Sequence, residues 1–313
     1  GYYVSTKLWV GDYVNGETFE ELGQRATGIE RIAVMRADVD NLGQAFVRGF
    51  ENEKNGSKYV TLSRTATFSR KLSMFFKYHI NSLLKEGGYS ILEEEVQMEK
   101  EDDRRNALIV YSGGDDIFIV GAWDDIIGFA VDLHDNLMEY SQDTLKISAG
   151  IGIYPSKYPI SIMARETGRL EEAAKSVEGK NAVALFDEKY TFPWEEFIEN
   201  VVEEKLYFIQ KYFKVVDEKG KNFLYNLLEL VRKRKEDKIN IARFAYLLGR
   251  MEPKVQRGEK KEEIEEKRDL HREFSRKMYE WIRVEKDAKE LEMAIYLYVY
   301  TKREKEEHDG VNE

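Results

Sequence analysis

Apolar residues recur in two rhythms along this chain, and the change from one to the other divides it. Between about residues 31 and 187, short apolar runs alternate with amphipathic stretches. Arg31 to Ala37 (RIAVMRA) reads as a buried strand ending in the acidic pair Asp38 and Asp40. A short helical stretch follows Asn41-Leu42-Gly43, then a polar loop, Glu51 to Ser57. Leu62, Phe68, Leu72, Phe75, Phe76, Ile80 and Leu83 fall at helical spacing and predict one long helix from about Thr61 to Lys85, stopped at Gly87-Gly88. An acidic stretch, Glu93 to Asp103, reads as a surface loop. The apolar runs Ala107 to Tyr111 and Ile117 to Gly121 then flank Ser112-Gly113-Gly114-Asp115-Asp116, the pattern of a hairpin. Asp124 is placed to cap a helix reaching about Tyr140. A strand from Lys146 to Ile153, a helix from Ile160 to Ser176 and a strand from Ala182 to Phe186 close the series.

That order, βαββαβ with a further helix and strand, is the split βαβ, ferredoxin-like arrangement. It predicts an α+β domain whose helices gather on one face of a mainly antiparallel sheet. Beyond Pro193 strand signals stop. Amphipathic segments run Trp194 to Phe213, Asn222 to Arg234, Ile239 to Leu248, Glu262 to Val284 and Lys289 to Tyr300, with polar joints at Lys219-Gly220-Lys221 and Met251 to Gly258. They predict an all-α bundle of about five helices. The expected organisation is a linker over 1–30, an α+β domain over 31–190 and a helical domain over 191–313.

Composition narrows the chemistry. Apolar residues make up 42% of the 313, enough for two cores. No apolar run is long enough to span a membrane, and the start carries no signal-peptide pattern. The absence of cysteine excludes disulfides and thiolate zinc sites and fits a cytoplasmic protein. The four histidines are too few for a histidine-rich metal centre; His134-Asp135 and His308-Asp309 spell the phosphohydrolase dipeptide without the further ligands it needs. A net charge of −10 argues against wrapping nucleic acid over the whole surface. The chain opens at Gly1 within a strand-like run, Tyr2-Tyr3-Val4, as the continuation of a larger protein would.

Taken alone, Gly113-Gly114-Asp115-Asp116 reads as a solvated turn in which glycine supplies positive φ. Asp38 changes that reading. In a βαββαβ sheet the first strand neighbours the central hairpin, so Asp38 can approach Asp115 and Asp116. Carboxylates crowded in a cleft repel unless cations neutralise them. Two Mg²⁺ or Mn²⁺ ions on Asp38, Asp115 and Asp116 would do so, and two-metal sites serve nucleotidyl transfer. Gly113 and Gly114, lacking side chains, let a nucleotide lie against the backbone. Asp40 divides between ligand and N-cap of the next helical turn. Lys180, beside Asn181, divides between a triphosphate grip and a solvated loop lysine. Ser69-Arg70-Lys71 is a weaker phosphate candidate, and Arg232-Lys233-Arg234-Lys235 is read either as a cationic helix end or as a nucleic-acid contact.

The set ADVDNLG (37–43), YSGGDD (111–116), ISAGIGI (147–153) and AAKSVEGKNAVALF (173–186) resembles the second palm domain of the large subunit of type III CRISPR effector complexes. WVGDY (9–13) and TFEELGQRATGIERIAVMRADVDNLG (18–43) resemble the Csm-type (III-A) version, and the following segment matches that subunit's C-terminal helical domain in position. The resemblance implies a GGDEF-like cyclase palm that polymerises ATP through 3′–5′ bonds into cyclic oligoadenylates when the complex binds target RNA. It implies Asp38, Asp115 and Asp116 as metal ligands, Lys180 as a triphosphate contact, and Ser112, Gly113 and Gly114 as walls of the nucleotide pocket. Its partners would be ATP, the other effector subunits, crRNA and target RNA, and an N-terminal half of the same subunit with an HD domain and first palm.

Two other readings remain open. A diguanylate cyclase shares the palm, but this chain has Asp116-Ile117 where that signature carries Glu-Phe, and Tyr111 where it carries Arg. A non-catalytic scaffold would use the helical bundle to bind subunits and RNA.

Overall fold

The structure is a computed structural model and describes residues 11–48, 61–92, 103–216, 221–235, 237, 239–253 and 261–303. The opening run 1–4, the polar loop 51–57, most of the acidic stretch 93–103, residues 219–220 and 254–258, and His308 lie outside them. Described residues up to Trp194 form one compact unit; those from Glu195 form another.

The first unit is a six-stranded sheet in the order β2-β3-β1-β4-β5-β6. Its strands are β1 (Ile32–Val39), β2 (Ala107–Ser112), β3 (Asp116–Ala122), β4 (Ile147–Tyr154), β5 (Ala182–Leu185) and β6 (Thr191–Pro193). β1 pairs antiparallel with both β3 and β4, and β2 with β3, as a split βαβ unit requires. β5 adds parallel to β4, and β6 antiparallel to β5. Three residues are too few to show a period, so β6 left no signal in the sequence; its Pro193 fits a sheet edge.

Before β1 comes α1 (Phe19–Arg25), capped by the Thr18 hydroxyl. After β1 come α2 (Leu42–Arg48), α3 (Leu62–Met74), a π turn (Phe75–His79) and α4 (Ile80–Glu86). The expected long helix is therefore continuous but loosened by one turn in its middle. α5 (Trp123–Ser141) and α6 (Ile160–Lys175) follow β3 and β4. Asp124 lies in the first turn of α5 and does not cap it, since Ala122 holds the N-cap. Its neighbour Asp125 accepts the Asn106 backbone and side-chain N–H groups, both at 2.9 Å, where the helix dipole favours an anion.

β1 is buried on both sides, and this departs from the one-faced sheet expected. Ile32 and Val34 pack with Leu22 of α1 and Met163 of α6, while the alternate residues Ala33, Met35 and Ala37 are equally buried and α5 also packs on β1. α6 approaches so closely that a Cβ at Gly150 would stand 2.3 Å from the Glu171 amide nitrogen. Helices thus cover both faces. Residues 11–30, read as a linker, contribute α1 and the fully buried Leu22 to this core.

The second unit is all helical: a π-helical segment (Glu196–Leu206), α7 (Tyr207–Val215), α8 (Lys221–Arg232), α9 (Ile239–Gly249), α10 (Lys261–Arg283) and α11 (Glu285–Lys302). α11 is buried nearly all round and contacts the π-helical segment, α7, α8 and α10, the position of a central helix. Lys205 is wholly buried there, with Glu290 Oε2 at 2.6 Å from its Nζ. Three cations at the end of α8 have partners within the fold. Arg232 bonds Glu292 at 2.9 Å, Lys233 pairs with Glu229, and Arg234 donates to the Val231 carbonyl at 3.0 Å.

Candidate active site

β1 carries Asp38 to the end of the sheet where the β2–β3 hairpin turns. In the β1–β3 register Asp38 stands opposite Asp116, and the Val39 amide donates to the Asp115 carbonyl at 3.1 Å. The expected approach of Asp38 to the acidic hairpin is therefore set by backbone pairing. Burial, then the charges of Asp38 and Asp116, raise the Asp115 pKa above the ordinary carboxylate range, with Lys175 opposing them.

The hairpin is shaped by exclusion. The Gly113 amide donates to the Asp116 carbonyl at 2.8 Å. Neither Gly113 nor Gly114 adopts positive φ, so the turn does not need glycine for its dihedrals. Room is what Gly113 supplies: a Cβ there would lie 2.4 Å from both Asp116 Oδ1 and the Tyr111 hydroxyl. Gly114 is exposed, with only Ser73 Oγ near an added Cβ, at 3.8 Å. A bulge between Ile109 and Tyr111 shifts the β2 register. Tyr111 hydrogen-bonds Asp116, and its pKa is raised chiefly by the Asp116 charge. Ser112 Oγ donates to the Phe76 carbonyl in the π turn, fixing the hairpin to the α3–α4 segment.

Three residues not anticipated, Lys175, Glu171 and Arg36, complete the cluster. Lys175, the last residue of α6, places Nζ 2.7 Å from Asp38 Oδ2 and 2.6 Å from Glu171 Oε1. Arg36, two residues before Asp38 on β1, meets Glu171 Oε2 at 3.1 Å. Charges therefore alternate along Arg36, Glu171, Lys175 and Asp38. Burial works against the Lys175 charge, but hydrogen bonds to Asp38 and Glu171 outweigh it and raise its pKa. The legible signal was the i,i+4 spacing of Glu171 and Lys175 on the helix leading to Lys180.

Other candidates separate. Asp40 is buried and does not cap α2, whose first turn bonds instead to the Asn41 carbonyl. Its Oδ2 accepts from Ser148 Oγ at 2.9 Å and the Asn181 amide at 3.0 Å. Lys180 lies half-buried in the loop that bonds to Asp40, and among the described residues no ion pair holds its ammonium. Ser69, Arg70 and Lys71 are exposed on α3. His134 stacks on Trp194 with centroids 5.0 Å apart and bonds Asp135 at 2.7 Å.

Among the described residues, no group of three or more carboxylates or imidazoles is arranged to hold a metal ion. Mg²⁺ does not need one, since it is held by one or two carboxylates together with waters and substrate phosphates. Burial first, and then the charges of Asp38 and Asp116, disfavour ionised Asp115, and the oxygen-only donors Asp38, Asp115 and Asp116 suit a hard cation.

Residues 31–184 match the family described as Cas10/Cmr2, second palm domain, and residues 210–304 match the second helical domain of the CRISPR RNA silencing complex Cmr2 subunit. The Cas10/Csm1 single-strand-specific deoxyribonuclease (subtype III-A) of Mycobacterium tuberculosis is 46% identical over 309 residues, covering 98% of this chain and 36% of that protein. The chain belongs to the Cas10/Csm1 family. The Streptococcus thermophilus Cas10/Csm1 protein is 42% identical over 302 residues, covering 95% of this chain and 36% of its own length. The chain thus spans about a third of the curated Cas10/Csm1 relatives it matches. A Csm1–Csm4 cassette crystallised with AMPPNP superposes with a TM-score of 0.61 at 27% identity, covering 92% of this chain and 40% of that one. A second Csm1–Csm4 cassette, in complex with pppApApA, gives a TM-score of 0.65 at 25% identity, covering 95% and 41%.

Proposed function

We propose that this chain is the catalytic palm and adjoining helical part of a type III-A CRISPR effector subunit that makes cyclic oligoadenylates from ATP. The observation that carries the reading is the convergence of Asp38, Asp115 and Asp116 at one end of β1 and β3, with Lys175 and the Lys180 loop beside them. The Csm1–Csm4 cassettes complexed with AMPPNP and pppApApA support an adenine nucleotide as substrate.

In the proposed reaction the 3′ oxygen of one adenosine forms a bond to the α-phosphorus of a second ATP. The bond to pyrophosphate breaks, and the 3′ hydroxyl proton is released. Asp38, Asp115 and Asp116 would hold two Mg²⁺ or Mn²⁺ ions, which supply activation of the hydroxyl and charge stabilisation of the leaving pyrophosphate. Lys175 and Lys180 bind the triphosphate electrostatically, and the exposed Gly114 edge, with Gly113 leaving room for Asp116, admits the nucleotide beside the Ser112 strand end. While no phosphate is present, Lys175 neutralises Asp38.

Residues 31–190 form the palm in this reading, residues 191–313 the helical domain, and residues 1–30 lead into the palm. Partners are the other effector subunits, crRNA, target RNA bound as activator, and an N-terminal half bearing an HD domain and a first palm, all in the cytoplasm. No helix among the described residues is long and apolar enough to cross a membrane. The test is the assembled complex with target RNA, ATP and Mg²⁺. Wild type should yield rings of 3′–5′-linked AMP, and Asp115→Ala/Asp116→Ala should not; equal product from both would sink the assignment.

A further inference from the structure

The loop between α6 and β5 is bent in an uncommon way. Gly179, Lys180 and Asn181 follow one another with φ of 81°, 53° and 52°. Side chains other than glycine's visit this left-handed region at a cost, which the surroundings of Lys180-Asn181 offset. Those surroundings centre on Asp40.

A single oxygen, Asp40 Oδ2, accepts the Asn181 amide at 3.0 Å and the Ser148 hydroxyl at 2.9 Å, tying the loop to β4. The Asp40 amide in turn donates to the Lys146 carbonyl at 2.8 Å. On the far side the Asn181 carbonyl accepts the Trp194 amide at 3.1 Å. Asp40 is only 5% exposed, and its Oδ1 is buried without a donor, as is Asn181 Oδ1. The unpartnered Asp40 Oδ1 is an unfavourable arrangement that an apolar residue at position 40 would avoid. Such a residue would also release the Asn181 amide.

We propose that Asp40 is a positioning residue for Lys180. Its buried carboxylate holds Lys180-Asn181 in the left-handed conformation and so sets where the Lys180 ammonium stands at the Asp38 end of β1. This rests on the reading of Lys180 as a triphosphate contact. It also separates the two aspartates of the Asp38-Val39-Asp40 sequence: the first faces the reaction, and the second builds the wall that carries a cation.

The test combines kinetics with amide exchange in the assembled effector complex. Asp40→Ala should raise KM for ATP about tenfold and change kcat less than about threefold, and it should add less than about twofold to KM in a Lys180→Ala background. Exchange of the Asn181 amide should quicken about tenfold or more in Asp40→Ala and stay near wild type in Asp40→Asn, whose side-chain oxygen still accepts. If Asp40→Ala does not fold, Ser148→Ala serves: KM should rise about twofold to threefold, and the rise should vanish in the Lys180→Ala background. Additive effects of Asp40 and Lys180 variants, or an Asn181 amide that exchanges at the wild-type rate in Asp40→Ala, would overturn the proposal. Unchanged KM in Lys180→Ala would instead defeat the triphosphate reading, and a loosened Asn181 amide would still support the latch. Full activity in Asp115→Asn would defeat the catalytic reading as a whole.

Discussion

Asp38 and Asp116 stand directly across the β1–β3 ladder from one another, two carboxylates made neighbours by backbone register. Like charges so placed destabilise the sheet end unless something neutralises them. Lys175 does so for Asp38, at 2.7 Å, while burial, Asp38 and Asp116 leave Asp115 with a raised pKa.

That raised pKa has a definite sign in stability. The folded state holds the Asp115 proton more tightly than the unfolded chain does, so ionised Asp115 opposes folding, by an amount that grows from the unfolded pKa up to the raised folded one and is constant above it. Asp115→Asn should therefore raise the metal-free melting temperature at neutral pH, and the gain should shrink towards acid pH. Addition of Mg²⁺ should stabilise wild type more than the variant. Thermal melts across pH, with and without Mg²⁺, check this. A variant that melts below wild type at neutral pH would contradict it.

Gly113 and Gly150 should respond to alanine in opposite ways. At Gly113 the added methyl meets only side-chain ends, Asp116 Oδ1 and the Tyr111 hydroxyl, which can swing aside. Gly113→Ala is expected to fold with stability near wild type and lose most activity, because Asp116 must move. At Gly150 the methyl meets the backbone of α6 itself. Gly150→Ala should cost about 1–3 kcal/mol, read by urea denaturation.

Lys175 is expected to act on ATP affinity. Lys175→Met removes the counter-charge of Asp38 and, in the proposed site, a cation for the triphosphate. KM for ATP should rise about tenfold or more, while affinity of the free protein for Mn²⁺, read by electron paramagnetic resonance, should not fall. Loss of Mn²⁺ binding in Lys175→Met would show that the lysine orders the carboxylates.

The helical unit offers a stability test independent of chemistry. Lys205→Met takes the ammonium from Glu290 in a fully buried site, and removing one partner of such a pair costs about 3–5 kcal/mol. Lys205→Met/Glu290→Leu should recover most of that loss in chemical denaturation. No recovery would mean that packing around Lys205, including Trp281 with its ring centroid 5.1 Å from Nζ, dominates.

Periodicity made much of this protein legible. Strands β1 to β5 and the helices between them declare themselves because each buries a face, and burial writes period two or period 3.6 into the residue order. The neighbourhood of β1 and the hairpin follows from the order βαββαβ, so Asp38, Asp115 and Asp116 could be gathered from sequence alone. Where a residue's role depends on what arrives from elsewhere in the chain, periodicity is silent. Lys175 looks like any lysine ending a helix until α6 crosses β1 and sets it on Asp38. The two glycines of the hairpin look like providers of positive φ, whereas the structure keeps their φ ordinary and makes Gly113 a matter of space. Asp40 sits one residue before a helical turn, which suggested a cap, but β4 and the Lys180 loop, over a hundred positions away in the chain, claim its carboxylate. Local order therefore determined the elements and the three facing carboxylates. Only the tertiary structure decided which cations face them and what holds those cations in place, because long-range approach leaves no period in the sequence.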